Sequence, residues 1–106
     1  MQILKSTDAD RHKFFTLANI GAILQYLGDS QSAYVYFKKA ESKIDKLNRE
    51  IYKISLTRLF FDIAKTSKAL SKVKSFNKYI GLTRELATLE NDKIMLDEIE
   101  KLVRLK

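Results

Sequence analysis

Residues 17–40 read LANIGAILQYLGDSQSAYVYFKKA, and their pattern decides the fold class. Upstream of Gly28, apolar residues recur at helical spacing: Phe14, Phe15, Leu17, Ala18, Ile20, Ala22, Ile23, Leu24, Tyr26 and Leu27. So wide a stripe suits a helix that packs against two neighbours. Leu27-Gly28-Asp29-Ser30 then carries a stop and a start. Gly28 suits the left-handed residue that ends a helix, and Asp29 or Ser30 can cap the next one. Downstream, Ala33, Tyr34, Tyr36, Phe37, Ala40 and Ile44 resume the helical period, with Lys38, Lys39, Glu41, Lys43 and Asp45 largely between them.

Working outward, the same spacing predicts five helices near residues 8–27, 30–46, 49–70, 73–89 and 92–105. The third carries Ile51, Tyr52, Ile54, Leu56, Leu59, Phe60, Ile63, Ala64 and Leu70. Ser71 to Ser75 reads as a turn. The fourth carries Phe76, Ile80, Leu82, Leu86 and Leu89. Asn91-Asp92 can cap a last helix bearing Ile94, Met95, Ile99, Leu102 and Val103. Leu47-Asn48 holds no strong breaker, so one continuous helix over 30–70 is the competing arrangement.

Composition agrees. The 106 residues contain no proline and three glycines, too few turn residues for a sandwich or barrel. Hydrophobic residues make up 45% and charged residues 31%, the balance of one soluble all-α domain over 1–106. The absence of cysteine excludes disulfides, thiolate chemistry and cysteine-ligated zinc. No run approaches the ~18 apolar residues of a membrane span, and Met1 to Lys13 lacks the apolar core of a signal peptide. A cytoplasmic protein is therefore expected.

The chain also repeats. Shifted by 43 residues, Leu17 falls on Phe60, Ile20 on Ile63, Gly21 on Ala64, Leu27 on Leu70, Gly28 on Ser71 and Phe37 on Ile80. The first copy resembles a tetratricopeptide repeat. It reads Leu17-x-x-Ile20-Gly21-x-x-Leu24, then Ala33-x-x-x-Phe37, then Ala40, with Gly28 at the inter-helix turn. Small Gly21 and Ala33 let two helices approach, Phe37 and Leu17 fill the flanks, and Ala40 admits the next repeat. Leu17 and Leu24 stand where the family has Trp and Tyr, and no proline closes the repeat. The second copy is degenerate, with Phe76 in place of Ala33, Thr83 in place of Ala40 and Ser71 in place of Gly28. Its spacing exceeds the family's usual ~34 residues and is similar to the long repeats of kinesin light chains and bacterial peptide-sensing regulators.

The resemblance implies antiparallel helical hairpins stacked as an α-α superhelix. Repeat 1 would span about 8–47, repeat 2 about 48–90, and a capping helix 92–105. It also implies a concave surface lined by Phe15, Ala18, Asn19, Ala22 and Gln25 from the first repeat, and by Arg58, Phe61, Asp62, Lys65 and Lys68 from the second. Spacing alone places Arg58, Phe61, Lys65 and Lys68 on one helical face. Such a groove would take a partner peptide or helix bearing carboxylates beside apolar anchors. The asparagine-lysine-arginine clamp by which some members hold a terminal carboxylate is not reproduced.

Net charge is +7. Lys65, Lys68, Lys72, Lys74, Lys78 and Arg84 follow one another with no Asp or Glu between Ile63 and Arg84. This basic patch supports an alternative, non-sequence-specific binding of nucleic acid or phosphate, although no base-reading motif accompanies it. A third expectation is a homodimer through the last helix, lost on Ile99→Asp. His12, the single histidine, reads as a surface residue. No nucleophile motif, phosphate loop or calcium loop is present, so no enzyme activity, metal or cofactor is expected.

Overall fold

Three of the helices end where a residue turns left-handed. The computed structural model describes residues 2–44 and 53–105, with five α-helices and no strand among them: α1 (Gln2–Tyr26), α2 (Ser30–Glu41), α3 (Lys53–Ala69), α4 (Val73–Leu89) and α5 (Lys93–Arg104). The all-α class is as the periodicity predicts. Gly28 follows α1 at φ 90°, Ser71 follows α3 at φ 59°, and Asn91 follows α4 at φ 56°. Each closes the same pair of bonds. The N–H of Asp29 donates to the Leu24 carbonyl at 2.9 Å, that of Lys72 to Ser67 at 2.8 Å, and that of Asp92 to Ala87 at 2.8 Å. The preceding N–H groups of Gly28, Ser71 and Asn91 bond to Gln25, Lys68 and Thr88. This is the paired-bond helix stop that satisfies terminal carbonyls through one residue of positive φ. Gly28 and Ser71 are equivalent under the 43-residue shift, and the helices before them stop alike.

The starts differ. The Asp29 carboxylate accepts from the Ser32 N–H at 3.1 Å and the Asp92 carboxylate from the Met95 N–H at 3.0 Å, capping α2 and α5. At α4 the capping position is Lys72, which makes no side-chain cap bond.

Several boundaries depart from the sequence reading. α1 begins at Gln2 rather than near residue 8, and α2 ends at Glu41 rather than 46. At that end the Ser42 hydroxyl donates to the Lys39 carbonyl at 2.6 Å, and the Ser42 N–H reaches the Lys38 carbonyl, as the chain turns to bury Ile44. The α-helix stops there, so the continuous helix over 30–70 is not formed. The turn expected over Ser71–Ser75 is shorter, because α4 already begins at Val73. Residues 49–52, assigned to the third helix from the sequence, lie outside the described residues.

The chain divides into two compact units, Met1–Tyr52 and Lys53–Lys106. In the first, α1 and α2 form a hairpin. Gly21 lies under the Phe37 ring, and a Cβ there would stand 2.7 Å from Phe37 Cδ1. Ala33, Phe37 and Ala40 are buried on α2. In the second, α3 pairs with α4 and α4 with α5. Leu56, Leu59, Phe60, Ile63 and Ala64 of α3, Tyr79, Ile80 and Ala87 of α4, and Met95, Ile99 and Leu102 of α5 are buried. The Phe60 and Tyr79 rings meet at 5.8 Å.

Buried hydroxyls find local partners. Thr66 donates to the Asp62 and Ile63 carbonyls and Thr83 to the Tyr79 carbonyl at 2.6 Å. Ser67 and Ser75 share a hydrogen bond of 2.7 Å between α3 and α4. Thr83 thus keeps the small, fully buried role that Ala40 has in the first unit.

Two substitutions test this account by urea denaturation. Ser71→Gly removes the left-handed penalty of a residue bearing a Cβ, and stability rises by about 1 kcal/mol. Gly21→Ala forces its new methyl against Phe37, and stability falls by about 1–3 kcal/mol.

Candidate functional site

α3 is buried around most of its circumference, since Leu56, Thr57, Leu59, Phe60, Phe61, Ile63, Ala64, Thr66 and Ser67 are all inaccessible. What remains open is one narrow edge carrying Arg58, Asp62 and Lys65. At 3.6 residues per turn these fall at i, i+4 and i+7, so they stand one above another.

The three form one electrostatic group. The Arg58 side chain is 54% exposed, and its Nε lies 3.5 Å from Asp62 Oδ1. The Asp62 side chain is only 15% exposed. Burial pushes its carboxyl above the ordinary value, and Glu98 of α5 pushes in the same direction, while Arg58 and Lys65 pull it back down. Phe61 is 3% exposed, so it lies beneath the edge instead of standing out as an anchor. The Arg58 guanidinium carbon is 5.7 Å from the ring centre and Lys65 Nζ is 5.6 Å. Two cations therefore share one aromatic ring and one carboxylate, which restricts where their charged ends can go.

Lys68, read from the sequence as part of the same lining, is drawn elsewhere. Its Nζ donates to the Leu105 carbonyl at 2.7 Å and sits 5.2 Å from the Phe76 ring centre. It joins the end of α5 to α3. The first-repeat residues lie on α1. Phe15 is half-buried and meets Phe14 edge-on at 5.1 Å, and Asn19 is exposed. Gln25 is half-buried, and its Oε1 has no hydrogen-bond partner among the described residues.

The basic run Lys65–Arg84 is continuous in sequence and spread over two helices and a turn. Lys65 and Lys68 belong to α3, Lys72 to the turn, and Lys74, Lys78 and Arg84 to α4. Lys78 Nζ lies 5.3 Å from the centre of the Tyr79 ring, and Arg84 pairs with Glu100 of α5 at 3.2 Å. On α4, Lys74 and Lys78 share the side opposite the buried Tyr79, Ile80, Thr83 and Ala87, and Arg84 lies towards α5.

Glu98 of α5 is a member of the site that no sequence motif marks. Its proximity to Asp62 comes from the placement of α5 and has no local signal. Among the described residues no group of acidic or histidine side chains could hold a metal ion, and no helix is long and apolar enough to cross a membrane. No family model, curated protein or solved structure matches this chain.

The raised Asp62 carboxyl has a consequence with a definite sign. The folded chain holds this proton more tightly than the unfolded chain. Asp62 therefore costs nothing below its unfolded pKa and destabilises increasingly as pH rises through the folded one. In urea titrations the stability of Asp62→Asn relative to the natural chain should climb from about pH 4 upward and then level off. A pH-independent difference would show that Asp62 titrates as an ordinary carboxylate.

Proposed function

We propose that this chain is a tetratricopeptide-like interaction module without catalytic activity, and that it binds an acidic peptide or helix along the Arg58–Lys65 edge of α3. The observation that carries the reading is the confinement of that edge: on an otherwise buried helix, two cations are held by a ring and a carboxylate and directed to solvent. Cations restrained in this way lose less side-chain freedom on binding than free lysines do. The tetratricopeptide assignment is supported by the Gly21–Phe37 approach, by buried Ala33 and Ala40, and by the matching left-handed stops at Gly28 and Ser71.

Nucleic-acid binding through the 65–84 run is the weaker reading. A duplex or single strand needs its cations along one face, whereas here they spread over two helices and a turn, and Arg84 pairs with Glu100.

The test is retention of partners from nuclease-treated lysate by the natural chain and by Arg58→Glu/Lys65→Glu, with circular dichroism showing that both are folded. Lys68 is left in place because it ties α3 to Leu105. A specific acidic protein held by the natural chain and reduced at least about tenfold by the double reversal is the expected result. If both chains retain the same proteins equally, the α3 edge is not the binding surface. If nothing is retained, while the chain binds arbitrary nucleic acid at ~50 mM salt, the phosphate-binding reading replaces it.

A further inference from the structure

α4 contains a glycine that its own fold does not require. Gly21 is glycine because Phe37 fills the space where a side chain would go. Gly81 sits in the middle of a seventeen-residue helix, is exposed, has an ordinary helical backbone, and has nothing within 4 Å of where its Cβ would stand. Glycine is among the least favourable residues for a helix interior, and here nothing among the described residues fills the position of its missing side chain.

The surface around it is patterned. Opposite the buried Tyr79, Ile80, Thr83 and Ala87, α4 exposes Lys74, Lys78, Gly81, Glu85 and Leu89 in one stripe. Gly81, Glu85, Thr88 and Leu89, with Arg84 at the margin, line a shallow depression of about 400 Å³. Leu89 is 69% exposed. Cations lie on the N-terminal side of Gly81 and Glu85 lies on the C-terminal side. Neither Lys78 nor Glu85 has an opposite charge three or four residues away on α4, and the adjacent Arg84 is taken by Glu100.

This order is complementary to its own reverse. We infer that the outer face of α4 is an interface between two copies of this chain, with the two α4 helices crossing antiparallel at Gly81. A two-fold axis there brings Lys78 opposite Glu85 of the second copy, and Glu85 opposite Lys78 of that copy. It also sets Gly81 beside Leu82 of the second copy and lays the Lys74 stem along its Leu89. Each contact occurs twice, as an isologous interface requires, and the missing Cβ at Gly81 allows the helix axes to approach. This surface is distinct from the α3 edge and does not depend on it. It is distinct also from a dimer through Ile99, whose side chain is wholly buried in the second unit; Ile99→Asp would therefore unfold that unit before it reported on assembly.

Sedimentation equilibrium of the full chain tests the inference, at concentrations up to on the order of 0.5 mM because one helix pair makes a small and weak interface. The natural chain should form dimers that weaken as salt is raised. Lys78→Glu and Glu85→Lys should each weaken dimerisation at least about tenfold by facing like charges. The double variant Lys78→Glu/Glu85→Lys should recover it, as should an equimolar mixture of the two single variants. Gly81→Leu should be monomeric yet melt no lower than the natural chain, since the monomer has open space there. A natural chain that stays monomeric throughout overturns the inference. So does a dimer unmoved by the single reversals, or one that the double variant fails to restore.

Discussion

A helix that ends inside a small protein leaves carbonyls without donors, and this chain meets that requirement in the same way three times. One residue adopts positive φ, two N–H groups turn back onto the last helical turn, and the next helix starts within two residues. Gly28 does this without strain, whereas Ser71 and Asn91 carry a Cβ into the left-handed region. Connections this short leave each helix no course but back along the one before it. Close helices in turn require small residues where they meet. In the first hairpin these are Gly21, Ala33 and Ala40, and in the second unit Ala64, Thr83 and Ala87. The composition of the buried faces follows from the geometry of the stops.

The same packing shapes the polar surface. Because α3 is covered on most sides, Arg58, Asp62 and Lys65 share one edge, and their charges become coupled. Arg58 and Lys65 lean on Phe61 and are tied to Asp62, a carboxylate kept from water and pressed by Glu98. α4, buried on one side only, shows the opposite case. Its outer stripe holds Lys78 against the Tyr79 ring and keeps an unfilled position at Gly81. A crowded charged edge and an open patterned stripe therefore arise from two neighbouring helices of similar length and composition. The difference lies in how much of each the rest of the chain covers.

Much of this was legible in the residues themselves. Period, glycine position and the caps Asp29 and Asp92 mark five helices and their turns, because these are local properties of backbone and side chain. The 43-residue shift that aligns Gly28 with Ser71 anticipates two turns of one geometry, although serine gives no hint of a left-handed residue. The α2 terminus escaped sequence reading, since Glu41 to Asp45 continues the helical period and no glycine or proline marks Ser42 as a stop. The α1 start was also missed, where the first residues offer no cap to mark it.

Charge was readable as an amount but not as an arrangement. Six cations in a row are a fact of sequence, and so are two lysines and a glutamate around a glycine. Whether a lysine faces water, a ring or a carbonyl depends on groups far along the chain. Lys68 meets Leu105, Arg84 meets Glu100, and Asp62 feels Glu98. The sequence by itself determined the helices, their stops and the small residues at their crossings, because those follow from interactions within a few residues. Only the tertiary structure decided which charges are spent inside the fold and which face outward, because burial and long-range pairing are properties of the packed whole.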